Sequence, residues 1–206
     1  MVRRVLAGRE PQPRWMPRRV LTVVSADVDA AAGVGAIWIV WRPKSPRTRE
    51  HIALLEWYGE QWRYAGGSSG SGDDFVDSEM LDVLDVLDVL DVLDVLDVLD
   101  VLDVRNGGAA RSLTRRLDPP RSLTTAPWIG CALVCLGRDV DHVVIGGRRL
   151  ENPEHCRLIA VWTSPGTNPR DRPVIVALGS DGVELSRIGP HDGLDTHTWA
   201  QVREEL

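Results

Sequence analysis

His191, Asp192, Asp195 and His197 fall within a seven-residue stretch near the end of the chain. Two imidazoles and two carboxylates so close together are the ligand types a divalent metal takes from a protein. Their spacing matches no established ligand pattern. The competing reading is a polar loop in which Asp195 or Thr196 caps a following helix. A second pattern is Gly66-Gly67-Ser68-Ser69-Gly70, which satisfies the G-x-S-x-G form of a nucleophile elbow. That elbow needs a strand before the serine and a packed helix after it. Here Ser71, Gly72, Asp73 and Asp74 follow, so the composition reads as linker and Ser68 as a linker residue. Cys131 and Cys135 sit four apart on an expected strand, hence on one face. With Cys156 they make an odd number and no pairing pattern, which reads as buried, reduced thiols.

No P-loop, dinucleotide-binding glycine fingerprint, HExxH or Cys-x-x-Cys is present. No catalytic residue and no cofactor is therefore expected. The aromatic residues offer a different chemistry. The chain has eight Trp against one Phe and two Tyr. Trp38 and Trp41 lie three apart, so on a strand they point to opposite faces. An exposed indole at either position could stack on a sugar ring or anchor a protein partner.

Those side chains need elements to hold them, and the elements read as strands. "VLTVVSADVD", "GAIWIVWRP", "HIALLEW" and "QWRYA" form a first set over residues 20–65, the last with alternating aromatics. "WIGCALVCLG", "DHVVIGGRRL", "CRLIAVWTSP", "RPVIVALG" and "VELSRIG" form a second set over 128–206. Asp181-Gly182 between two such runs is a hairpin signal. Thr198 and Gln201 match a capping box for a short C-terminal helix. The order of features is similar in the two sets, which raises a weak internal duplication. About 50 residues is marginal for an independent core, so residues 20–65 and 128–206 are expected to share one. The expected fold is mainly β: an antiparallel sandwich, or a barrel-like form, of about eight strands. Residues 1–19, rich in Arg and Pro, read as a disordered basic tail, and 66–127 as linker plus insert.

The insert is the oddest feature. Leu-Asp-Val occurs eight times in unbroken register from Leu81 to Val104. As a helix, each triplet turns about 300°, so the aspartates wind round every side and no apolar face persists. As a strand, a period of three throws aspartates onto both faces. A solvent-exposed, marginal helix starting at Asp77 or Ser78 is the least costly choice, with disorder beside it. A tandem expansion in a permissive loop explains such a repeat without a function. Residues 73–104 hold twelve of the 30 acids and no base, leaving 18 acids against 24 bases elsewhere. A body of net charge +6 thus carries an acidic insert.

Of the 24 bases, 23 are Arg, which fits a high-GC bacterial genome rather than a nucleic-acid reader. No stripe of bases interleaved with aromatics appears, so no nucleic-acid partner is expected. No stretch is apolar enough to cross a membrane, and Val20–Val24 is too short for a signal core. Free thiols and this composition point to the cytoplasm. The functional expectation is a non-catalytic binding or scaffold module with a protein partner and an oligomeric state the residues do not specify. Alternatives are a metal-dependent or serine-type hydrolase and a carbohydrate-binding β module.

Overall fold

Runs of β-branched and aromatic residues punctuated by Gly, Pro and Asp become strands throughout the chain. The computed structural model describes residues 2–7, 9, 11–43, 45–71, 101–113, 126–153, 155–164, 172–197, 200 and 203. Four strands form an antiparallel meander: β1 (Leu21–Asp29), β2 (Val34–Trp41), β3 (Arg49–Tyr58) and β4 (Gln61–Ser71). A second sheet has the order β5 (Leu102–Arg111), β6 (Trp128–Leu136) and β9 (Arg157–Ser164). A third has the order β11 (Glu184–Ile188), β10 (Ile175–Leu178), β7 (His142–Ile145) and β8 (Arg148–Glu151). All pairings are antiparallel.

The fold is thus mainly β, with eleven strands among the described residues rather than about eight. "DHVVIGGRRL" splits into β7 and β8 about Gly146 and Gly147, both at positive φ, the geometry of a two-residue hairpin turn. The Asp181-Gly182 signal likewise falls between β10 and β11, which pair. The other addition, β5, comes from a region expected as insert and loop. The two halves do not repeat one topology either: β1–β4 run in sequence order, whereas β6 neighbours β9 and β7–β8 join another sheet.

The inward row of β2 is Val34, Ala36, Trp38 and Val40, each at most 1% exposed. Across β3 the register continues the row with Glu50, Ile52, Leu54 and Glu56. β6 is buried along nearly its whole length on both faces, so its sheet is the middle layer. One core cluster takes Trp38 and Leu54 from the meander, Ile129, Leu133 and Ile159 from the middle sheet, and Ile145 and Ile175 from the third.

The meander and the middle sheet approach each other at both edges without closing a barrel. At the β1/β9 edge, the N–H groups of Ile159 and Val161 donate to Ser25 Oγ (3.1 Å) and Asp27 Oδ2 (2.8 Å). Asp27 also accepts both terminal nitrogens of Arg148 from β8 at 2.9 Å, so one buried carboxylate ties three sheets together. At the β4/β5 edge, Ser68 Oγ donates to the Gly107 carbonyl at 3.0 Å. A Cβ on Gly66 would lie 2.6 Å from Ala110 Cβ, so only a glycine permits that approach.

This edge corrects the linker reading of Gly66–Ser71, which continues β4 and pairs with β3. The small residues are there because a neighbouring strand comes close. It also corrects the last triplet of the repeat. Leu102, expected outside, is 1% exposed and pairs with Leu136, with Val101 and Val104 packed partly against the core. The rest of the repeat, and the helix expected for it, lie outside the described residues. The first nineteen residues are not a free tail. A short helix, α1 (Val2–Leu6), contacts β1, and the buried Gln12 amide bonds Leu21 O and Val23 N as a strand partner would. Of the expected C-terminal helix, Thr196, His197, Ala200 and Arg203 are described and helical.

Candidate functional site

The outward face of the meander gathers the side chains with most to offer a ligand. Register places Trp41, Ile39, Ile37 and Gly35 of β2 on this face, beside Arg49, His51, Ala53 and Leu55 of β3. β4 adds Trp62 and Tyr64, two positions apart and therefore on one side. A small apolar cluster of Leu21, Val23 and Ile37, with Met16, Val28, Leu55 and Trp62 around it, forms the floor. Trp62 and its cross-strand partner Trp57 meet edge to face at 5.7 Å. A Cβ on Gly35 would be 3.7 Å from the Trp62 ring, so the glycine lets the indole lie low across the sheet. Above this floor Trp41, Trp57 and Tyr64 stand 45%, 50% and 56% exposed.

The indoles singled out from spacing thus part company. Trp38 is fully buried in the core and has no surface to offer a ligand, while Trp41 is half exposed. Spacing does not single out Trp57 or Tyr64. The signal for Tyr64 was present, since Trp62 and Tyr64 alternate with polar residues in "QWRYA". For Trp57 no local signal separated an exposed indole from a buried one.

The carboxylates and the serine that could do chemistry are bound to backbone groups. Asp195 is buried and its Oδ2 accepts the Leu102 N–H at 2.9 Å, anchoring the start of β5. Asp192 Oδ2 accepts the Gly189 N–H at 2.6 Å. His191 and His197 are exposed, and the His197 N–H donates to Ser186 Oγ at 3.4 Å. Among the described residues no group of three or more His, Cys, Asp or Glu is arranged to hold a metal ion. The Ser68 hydroxyl spends its proton on a carbonyl, not on a base. Burial pushes the Cys131 thiol up to about 12 and raises Cys135 and Cys156 as well, so none is poised as a thiolate.

At the end of the molecule where β1, β3, β5 and β9 begin, polar groups join the inward-facing side chains. Glu50 lies there, facing Arg157 and Arg105. Burial holds its carboxyl above the ordinary carboxylate range, more strongly than Trp38 and the two guanidinium groups pull it down. His155 is held below its ordinary value, first by burial and then by Arg157 and Arg18.

No described helix is long and apolar enough to cross a membrane. No protein-family model, no curated protein and no solved structure matches the chain.

Proposed function

We propose that this chain is a non-catalytic binding module that takes a protein partner on the outward face of the β1–β4 sheet, with Trp41, Trp57 and Tyr64 as anchors. The observation that supports this reading is the shared exposure of three large aromatics on one rigid face above a packed apolar floor. Aromatic anchors at the centre of an interface lose little conformational freedom and bury much area on binding. A hydrolase reading finds no assembled nucleophile and base among the described residues.

The test is affinity capture from native lysate with the wild-type chain and with Trp41→Ala/Trp57→Ala/Tyr64→Ala, after circular dichroism shows both folded. A partner retained by the wild type and lost by the triple variant supports the module. Identical retention by both chains overturns the surface. The sugar-binding alternative is separated by affinity electrophoresis in soluble polysaccharide gels. Retardation of the wild type that is lost in the triple variant would favour a carbohydrate ligand instead.

A further inference from the structure

The end of the molecule that begins β1 and β3 carries a charge imbalance. Arg19 precedes β1, Arg42 and Arg47 lie between β2 and β3, and Arg49 opens β3; all four are exposed. Among the described residues no carboxylate pairs with them, whereas Arg148, Arg149 and Arg187 elsewhere all have acidic partners. The nearby acids do not serve: Asp103 pairs with Arg105 at 3.4 Å and Glu50 faces inward. The same end exposes apolar surface, with Val20 and Trp41 both 45% exposed.

The topology brings the chain's own counter-charge here. β4 ends at this end with Ser71, and β5 begins there with Leu102. Residues 72–100, outside the described residues, carry eleven acids and no base, and from Leu81 each acid is flanked by Leu and Val. Thirty residues of chain can reach about 100 Å, more than enough to cross the face. Tethering at both ends gives an effective concentration on the order of millimolar, which favours even a weak pairing. An acid with two aliphatic neighbours complements an end that exposes both arginines and apolar side chains.

We infer that the exposed end formed by Arg19, Arg42, Arg47 and Arg49, with Trp41 beside Arg49, is the docking surface for the chain's own acidic Leu-Asp-Val tract.

Phenylglyoxal footprinting, read arginine by arginine in the mass spectrometer, tests this on the full chain. The comparison is with a variant carrying Asn for Asp at 82, 85, 88, 91, 94, 97 and 100. At low salt Arg19, Arg42, Arg47 and Arg49 should react severalfold more slowly in the wild type. The gap should close at 0.5 M salt, where the Debye length is about 4 Å. Arg149 and Arg187 should react alike in both chains. Equal rates at the four arginines overturn the assignment. So does a rise in the variant that includes Arg149 and Arg187, which would reflect net charge or loss of fold. Protection that grows with protein concentration assigns the surface to a second copy and overturns the intrachain pairing.

Discussion

Along the β1/β9 seam, polar side chains stand in for a missing backbone ladder: Ser25 and Asp27 receive the N–H groups of Ile159 and Val161. Along the β4/β5 seam the contact depends on what is absent, since Gly66 leaves room against Ala110 that no Cβ could occupy. One seam is held by charge and hydrogen bonding, the other mainly by shape, with a single side-chain hydrogen bond from Ser68. The difference teaches that two sheets can be joined without a shared ladder, either by satisfying the edge donors from side chains or by bringing backbones into direct contact.

The largest expected effect is on the polar seam. Asp27→Ala leaves Arg148 without its bidentate partner and orphans the Val161 N–H, so a loss of about 3–5 kcal/mol is expected in chemical denaturation. A loss below about 1 kcal/mol would show that water replaces the carboxylate. On the seam set by shape, a Cβ at Gly66 would meet Ala110 Cβ at 2.6 Å. Gly66→Val should therefore cost about 1–3 kcal/mol by overpacking, and pairing it with Ala110→Gly should restore part of the loss. Failure of that rescue would mean the strands are not held apart by this contact. Ser68→Ala should cost only about 1 kcal/mol, the value of one hydrogen bond. If it costs as much as Asp27→Ala, the two seams are not of different kinds.

The smallest effect concerns Glu50, midway between the seams. Burial raises its pKa from 4.5, so the folded chain holds this proton more tightly than the unfolded chain does. Its contribution is present below pH 4.5 and is lost as pH rises through the folded value. Glu50→Gln should flatten the decline of melting temperature over that window and leave the variant slightly more stable at neutral pH. A steeper decline would show that Arg157 and Arg105 outweigh burial.

The strands with β-branched alternation were legible, as were the hairpin at Asp181-Gly182 and the opposite facing of Trp38 and Trp41. Which indole faced solvent was not, because both strand faces are apolar and only the partner layer decides. β4 is not legible beyond Ala65, since residues that admit a close neighbour are the residues of a flexible linker. β5 is not legible because Leu102–Arg111 lacks alternation and takes its strand form from β6. No local pattern announced the roles of Asp27 and Asp195, whose partners lie 121 and 93 residues away. The aromatic face was half legible for the same reason.

The placement of Leu102 inside β5 has a consequence for how the tract can change over generations. Every triplet is the same, so whichever copy abuts Arg105 supplies the leucine that fills the slot opposite Leu136. Removing residues 81–98 keeps a leucine in that slot and should cost only what the docked tract contributes, a salt-screened surface pairing. Removing 81–104 empties that slot and should cost about 2–5 kcal/mol. The locus is in effect a spool: copies can be wound on or off in whole units without emptying the core, provided the innermost turn stays.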